Sequence, residues 1–278
     1  MPQTKCRIRI VPGISAIAVA PLLVSATVSA GQAGAYVTLQ GENAVTPVDA
    51  SAGWEAGAGM TYISVDPDNR IVMATSSAEN SIYCYEVASG RLIKKIAMGE
   101  SPKGIKIDRQ GRYAFAANEG SGSISVIDVG SLEVVKEIPV GPTPHNSVVS
   151  PDNKYLYVTL QGGAGIAVVD FASLEKVDEL PAGGAPHNID IAPDGEWLYV
   201  PNIGTQDLTV IDLAEQRITR RIPLSPPHYG LDITPDGKVC AGNRHCRYRR
   251  QYHRHPQPRT GKTNRGGPRP TRRARRSG

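Results

Sequence analysis

Hydrophobic and polar residues follow one another in short segments that predict β-strands. In residues 104–140, GIKID and SISVID alternate apolar and polar positions, and YAFAA and EVVKEI supply two further short strand segments. The segments RQGR, NEGSGS and VGSLE separate them and hold turn-forming residues. Alternation with a period of two is typical of half-buried strands, and Gly, Ser and Asp clusters are typical of turns. The pattern therefore predicts a unit of four antiparallel strands.

This unit recurs along the chain at a fixed spacing. The copies SPKGIKIDRQGRYAFAANEGSGSISVID, TPHNSVVSPDNKYLYVTLQGGAGIAVVD and APHNIDIAPDGEWLYVPNIGTQDLTVID end at Asp128, Asp170 and Asp212, which are 42 positions apart. An earlier copy occupies 60–96, and a fragment precedes it at 35–53. A period in the low forties with four short strands is the range of β-propeller blades. The sequence thus predicts an all-β propeller of four-stranded antiparallel blades, with about five blades present.

Several recurring polar residues suit the turns of such a blade. The triplets PDN at 151–153 and PDG at 193–195 and 235–237 combine a fixed proline φ, an aspartate that bonds nearby backbone and a residue that accepts positive φ. Asp128, Asp170 and Asp212 are expected to bond local amides at strand ends. Asn118 and Asn202 follow second strands, where we expect a capping or turn role. These residues are interpreted as structural.

The two ends of the chain differ from the repeats. Lys5, Arg7 and Arg9 precede an apolar stretch at 10–28 and small residues up to Ala30, which predicts a signal peptide at 1–30. Residues 31–239 form the predicted propeller. Residues 240–278 form a basic tail, predicted to be disordered, in which periodicity and acidic residues stop together. The abrupt change to Arg, Pro, Gly and His suggests a frameshift product, with a basic binding arm as the alternative.

The overall charge depends on this tail. The chain carries +5, but residues 240–278 hold 12 Arg and Lys262 without an acid, so residues 1–239 carry −8. No nucleic-acid partner is therefore expected for the body of the protein. The signal peptide predicts a periplasmic or extracellular location, with no membrane span in the mature chain. Cys84 lies in a strand segment and is interpreted as a small buried apolar residue.

The repeats resemble a known family. The segments AYVTLQGENAVTPVD, YLYVTLQGGAGIAVVD and WLYVPNIGTQDLTVID are similar to the YVTN family of β-propeller repeats over residues 35–239. Members of that family resemble the haem d1 propeller of cytochrome cd1 nitrite reductases and the seven-bladed lactonases, and they also occur in exported and surface-layer proteins. Because the related propellers have seven or eight blades, the resemblance implies that this chain carries a truncated seven-bladed design, and we expect an open arc rather than a closed ring.

The candidate ligand site is a recurring Pro-His pair that enters successive blades. The pairs contain His145, His187 and His228, and the equivalent position one repeat earlier is Lys103. Asn146 and Asn188 follow two of the histidines. Each pair is expected in the crossing from an outer strand to the innermost strand of the next blade, so the side chains should meet on one face near the central channel. The alternative is that each histidine bonds a neighbouring blade's backbone and locks the crossing.

Catalytic motifs are not found in the sequence. It contains no GxSxG, HExxH or CxxCH segment and no glycine-rich loop leading into a helix, so no catalytic or metal-binding residue is assigned. Glu42, Glu79 and Glu119 follow second strands and are expected on the face opposite the histidines. The sequence favours an exported, non-enzymatic propeller that binds an unknown protein or small molecule at its loop face. The alternatives are a periplasmic redox protein with a haem d1-like cofactor on one of the histidines, and a lactonase-type hydrolase.

Overall fold

The computed structural model describes residues 54–163, 165–224 and 230–233, apart from the side chain of residue 232, and the backbone alone of five further strands. Every regular element of this described part is a β-strand, as the alternating pattern predicts. The strands are Ala26–Val28 (β1), Ala35–Leu39 (β2), Ala44–Pro47 (β3), Trp54–Glu55 (β4), Met60–Val65 (β5), Ile71–Ser76 (β6), Ser81–Glu86 (β7), Leu92–Ala97 (β8), Pro102–Ile107 (β9), Tyr113–Asn118 (β10), Ser123–Asp128 (β11), Glu133–Pro139 (β12), Pro144–Val149 (β13), Tyr155–Leu160 (β14), Gly165–Asp170 (β15), Glu175–Pro181 (β16), Asp190–Ile191 (β17), Trp197–Asn202 (β18), Asp207–Asp212 (β19), Arg217–Pro223 (β20), Gly230–Ile233 (β21), Lys238–Gly242 (β22) and His253–Arg254 (β23).

The strands form five four-stranded sheets and one three-stranded sheet, in chain order. We call the four-stranded sheets blade 1 (β1–β4), blade 2 (β5–β8), blade 3 (β9–β12), blade 4 (β13–β16) and blade 5 (β17–β20), and the last is sheet 6 (β21–β23). Within each sheet, consecutive strands pair antiparallel, as in the register Tyr113↔Asp128 of blade 3. From blade 2 onward, the first strand of each sheet contacts the first strand of the next. First strands that contact one another in series are the inner strands of a β-propeller, which confirms the predicted fold class.

Tight turns connect the strands with the backbone geometry that the sequence indicates. Asn69 and Asn153 both have φ of 55°, Gly111 has φ of 67° and Gly195 has φ of 77°, in the turns that join first to second strands of blades 2 to 5. Asparagine and glycine tolerate this left-handed conformation better than other residues. The carboxylate of Asp128 accepts a hydrogen bond from Ser131 N at 2.7 Å. Asp170 and Asp212 bond the amides of their own turns in the same way. Their predicted structural role is confirmed.

The core lies between neighbouring blades. Between blades 3 and 4, Phe115 and Val126 pack against Leu156 and Val158, and all four side chains are buried. Equivalent clusters lie between blades 2 and 3, between blades 4 and 5, and between blade 5 and sheet 6. Second and third strands are apolar on both faces because each face meets a different neighbour. Cys84 is fully buried in one of these clusters, which confirms its packing role.

One face of the propeller holds two kinds of connection. The crossings between blades at 98–101, 140–143 and 182–185 bond the hairpin loops between second and third strands, as in Glu119 N to Ser101 O at 3.2 Å and Gln161 N to Thr143 O at 2.9 Å. We call this the crossing face. Four antiparallel strands return the chain to the same side after the second and the fourth strand, so both connections must lie together.

The N-terminal segment and possible membrane spans are the remaining features of the fold that bear on location. Strand β1 falls within the segment 1–30, whose assignment as a signal peptide stays a prediction. Across the residues that the structure describes, no helix is long and apolar enough to span a bilayer.

Candidate functional site

The crossings carry backbone strain immediately before the predicted site residues. Ser101, Thr143 and Ala185 have φ of 52°, 46° and 49°, and each precedes the proline that begins the next inner segment. Left-handed geometry disfavours residues with a Cβ, and most of all a β-branched residue such as threonine. The same conformation at the same position of three blades shows that the crossing, rather than any single residue, imposes it.

His145 lies at the second position of inner strand β13 and is only 6% exposed. Its Nδ1 donates a hydrogen bond to the backbone carbonyl of His187 in the next blade, 3.2 Å away. The hydroxyl of Thr159 donates to the same carbonyl at 3.0 Å. This is the blade-to-blade bond that the structural alternative predicts. Burial, followed by the charges of His187 and Lys103, lowers the pKa of His145 well below its usual value, which favours the neutral imidazole.

The two imidazoles lie side by side. The ring centroids of His145 and His187 are 4.1 Å apart, and the ring of Tyr62 meets His145 edge-on at 5.7 Å. His187 is half-buried and precedes the short inner strand β17. The structure therefore brings two of the three predicted histidines together. His228 lies outside the described residues, and its place in the site stays a prediction.

Asn146 and Asn188 link inner strands to one another. Asn146 Nδ2 donates to Asn188 Oδ1 at 2.6 Å, and each Oδ1 also accepts the amide of the following residue. A Cβ on Gly104 would lie 2.5 Å from Asn146 Oδ1, so the glycine gives this amide its space. The hydrogen bond between the two asparagines links blade 4 to blade 5 and gives both residues a structural role. Whether they also touch a ligand stays a prediction.

Lys103 faces an acid that the sequence reasoning placed elsewhere. Its Nζ lies 3.5 Å from Glu119 Oε2, and the two side chains are 23% and 24% exposed. Glu119 was expected on the opposite face, and that expectation is wrong, because the loop after a second strand returns to the crossing face. Glu79 lies in the equivalent loop of blade 2, where Lys95 Nζ and Ala58 N donate to its carboxylate. Glu42 lies outside the described residues.

Tyr62 also contacts this group of residues, although the sequence did not single it out. Burial, and then the negative charge of Glu119, raises the pKa of its hydroxyl above the usual value. The hydroxyl of Thr75 joins it to Lys103, since Thr75 Oγ1 accepts from Tyr62 N at 3.0 Å and donates to Lys103 O at 2.8 Å. We call Tyr62, Lys103, Glu119, His145 and His187 the crossing-face cluster. A departure from the repeat was the available signal: Tyr62 stands where the later copies have Gly104, Asn146 and Asn188.

Asn118 and Asn202 cap hairpins and take no part in the cluster. Asn118 Nδ2 donates to Ser125 Oγ at 2.8 Å, and Asn202 Nδ2 donates to Asp207 Oδ1 at 2.6 Å. Both asparagines are buried. Their predicted capping role is confirmed.

A metal ion or a haem would need suitable ligands among the described residues. Within 54–163, 165–224 and 230–233, no group of three or more His, Cys, Asp or Glu is arranged to hold a metal ion. For a haem, the Nδ1 bond of His145 would present Nε2 as the ligating atom. However, the ring is buried between His187 and Tyr62, and a planar macrocycle needs an open approach to the ligating nitrogen. His145 therefore does not fit the role of a haem ligand.

Comparisons with known proteins agree on the fold. The family model described as a YNCE-like beta-propeller matches residues 149–236, and the one described as a lactonase, 7-bladed beta-propeller, matches residues 24–145. Among solved structures, hydrazine synthase of Kuenenia stuttgartiensis is similar with a TM-score of 0.60 and 26% identity. The similarity covers 66% of this chain and 55% of that one, so this chain spans little more than half of its length. No curated protein sequence matches.

Fold and comparisons together place this chain in the class of β-propeller proteins. The predicted resemblance to propeller repeats is confirmed at that level. Matches to 1509 solved chains show how widely the fold is shared, and a shared fold hosts many unrelated functions. Function must therefore be argued from the crossing-face cluster.

Proposed function

We propose that this chain is an exported, non-enzymatic β-propeller that binds a small molecule or a protein at the crossing face. The observation that carries the proposal is the crossing-face cluster itself. It combines a half-buried ion pair, two adjacent imidazoles and an aromatic ring drawn from blades 2, 3, 4 and 5. Binding sites typically place a few convergent polar groups beside aromatic surface on a rigid scaffold.

The state of the ionisable groups supports binding rather than proton transfer. The Nδ1 of His145 donates to a carbonyl, and the buried ring lies between His187 and Tyr62, so its Nε2 has no open approach for a substrate. Glu119 faces an ammonium group instead of a base. A general base needs a nitrogen or carboxylate within reach of the proton that it removes. The paired groups of this cluster suit recognition.

A fragment screen by nuclear magnetic resonance tests the site. We expect compounds that bind to shift the imidazole signals of His145 and His187, and the variant Lys103→Met to weaken that effect. Lys95→Met is the matched control, because Lys95 forms its ion pair with Glu79, which is not a residue of the cluster. If no fragment shifts these signals in a folded 278-residue chain, the proposed site is wrong.

Export rests on the N-terminal pattern of basic residues followed by an apolar stretch. Expression with the full N-terminus, followed by fractionation and N-terminal sequencing, tests it. We expect a mature chain that begins at Gly31 outside the cytoplasm. An intact N-terminus on a cytoplasmic protein would refute export.

A lactonase-type hydrolase is a second candidate, favoured by the family model that matches residues 24–145. Hydrolysis of a panel of γ- and δ-lactones, with and without added divalent cations, separates it from a binding scaffold. Turnover that survives purification to homogeneity and is lost in a variant of the cluster would favour the hydrolase.

A further inference from the structure

Two residues of the crossing-face cluster, Lys103 and Glu119, differ from the residues at the same positions of the other repeats. The position of Lys103 is occupied by Thr61, His145 and His187 in the other copies. The position of Glu119 is occupied by Ser77, Gln161 and Ile203 in the other copies. Blades with the same architecture have the same packing requirements. Among blades 2 to 5, only blade 3 carries this pair of opposite charges, so the pair is better explained by something outside the blade.

The ion pair itself is loose. Its 3.5 Å separation exceeds the 2.7–2.9 Å of a charge-assisted hydrogen bond. By contrast, Lys95 Nζ and Glu79 Oε2 in blade 2 are 2.6 Å apart and hydrogen-bonded. The Lys103 ammonium and the Glu119 carboxylate therefore form no short hydrogen bond with each other. Both charges can bind a third group without first breaking a short bond.

The two charges lie beside the aromatic groups of the cluster. The ring of Tyr62 meets His145 edge-on at 5.7 Å, and His145 lies 4.1 Å from His187. The Thr75 hydroxyl holds the backbones of Tyr62 and Lys103 together. Besides burial, which is the largest cause in both cases, the charge of Glu119 contributes to the raised pKa of Tyr62, and that of Lys103 to the lowered pKa of His145. The cluster therefore offers a carboxylate for a cation and, 3.5 Å from it, an ammonium group for an anion.

We infer that the crossing-face cluster binds a zwitterionic small molecule that carries an ammonium and a carboxylate, as a free amino acid does. The ammonium lies against Glu119, and the carboxylate lies against Lys103. This inference rests on the proposed binding function and narrows it to one class of ligand. A simple anion would be repelled by Glu119 and a simple cation by Lys103, whereas a zwitterion is attracted at both ends.

The inference is tested with the 278-residue chain labelled with ¹⁵N-histidine. The probes are glycine, L-leucine, L-glutamate and L-lysine, each compared with acetate and methylammonium as half-ligands. We expect at least one amino acid to shift the His145 and His187 signals saturably, and both half-ligands to bind at least about tenfold more weakly. That factor follows from the loss of one hydrogen bond to a charged group.

Charge variants complete the test. Lys103→Met and Glu119→Gln should each weaken amino-acid binding about tenfold or more, and Lys103→Arg, which keeps the charge, should retain most of it. Lys95→Met should bind as the wild type does. Near-ultraviolet circular dichroism checks that each variant is folded, and the arginine variant separates loss of charge from loss of structure.

The possible results separate the inference from the proposed function. If acetate binds as tightly as the amino acids, or if Lys103→Met leaves their binding unchanged, the zwitterion inference is wrong. The binding function then still stands if other fragments shift the same histidine signals. If neither the amino acids nor any fragment shifts them, both the inference and the proposed function are wrong.

Discussion

The imidazole of His145 donates from Nδ1 to the backbone carbonyl of His187, 3.2 Å away, and so ties the inner strand of blade 4 to the start of blade 5. The carbonyl also accepts the hydroxyl of Thr159. A residue proposed for ligand binding is therefore also a blade-to-blade link. The two roles are separable by experiment because the link acts on stability and the ligand on the imidazole signals.

Replacing His145 by alanine is expected to reduce the free energy of unfolding by about 2 kcal/mol, because a buried ring and one hydrogen bond are lost. The His187 carbonyl keeps Thr159 as its donor, which limits the cost. His187→Ala is the matched control, since that change leaves the backbone carbonyl in place and removes a half-buried ring. Urea denaturation measures both. An equal or larger loss in His187→Ala would contradict the role assigned to His145.

The same histidine predicts a loss of stability in mild acid. Burial lowers the pKa of His145 well below its usual 6.5, so the unfolded chain takes up a proton before the folded protein does. Its contribution to stability is fully present above pH 6.5 and decreases as the pH falls from there towards the lower folded pKa. Thermal unfolding between pH 4.5 and 8 should show a shallower decline in His145→Asn than in the wild type. Parallel pH profiles would argue against a neutral buried imidazole.

We expect the carboxylate of Glu79 to make stability depend on pH in a second, more acidic range. A hydrogen bond from Lys95, and then those from Tyr83 and Ala58 N, lowers its pKa from 4.5 to about 2. Stability from this carboxylate is complete above pH 4.5 and is lost as the pH falls through about 2. The variant Glu79→Gln should remove this part of the acid dependence in melts between pH 2 and 5. Glu119→Gln is the comparison, and the proposal fails if Glu79→Gln leaves the acid limb of the profile unchanged.

The strained crossing at Thr143 predicts a stabilising substitution. Thr143 has φ of 46°, and a Cβ on Gly162 would lie 2.3 Å from its Oγ1, so the site is also crowded. Thr143→Gly should raise the free energy of unfolding by about 1 kcal/mol, because relief of left-handed strain exceeds the entropy cost of glycine. The same change at Thr159, which lies inside a strand and forms hydrogen bonds, should destabilise. A loss of stability in Thr143→Gly would show that its geometry is not strained.

We expect the thiol of Cys84 not to react in the folded protein. Burial raises its pKa to about 12 and the side chain is fully enclosed, so little thiolate forms near neutral pH. Iodoacetamide at pH 8, followed by mass spectrometry of the peptide that contains Cys84, should show labelling only after denaturation. Rapid labelling of the native chain would contradict the buried position.

Much of the blade could be predicted from local pattern. Turn residues such as Asn153 and Gly195, and the strand-end carboxylate of Asp128, act on backbone within a few positions of themselves. Contacts over so short a range depend on residue type and spacing alone. The predicted positions of His145, His187 and Lys103 follow from the repeat, because equivalent residues occupy equivalent places in each blade.

Tyr62 could not be placed in the same way, because its ring contact with His145 joins blade 2 to blade 4. The face of Glu119 does follow from the order of four antiparallel strands, which puts the hairpin loop and the crossing on one side, so the expectation of the opposite face was an error of topology. Only the structure shows that Glu119 lies 3.5 Å from Lys103.

By itself the sequence determined the propeller class, the four-stranded unit and the structural role of its turn residues, since a period of 42 residues and an alternation of two are properties of the chain alone. Only the tertiary structure decided that Tyr62 and Glu119 join Lys103 and the two imidazoles. Their meeting depends on how the inner strands of blades 2 to 5 stack on one another, and no spacing along a single repeat specifies contacts between blades.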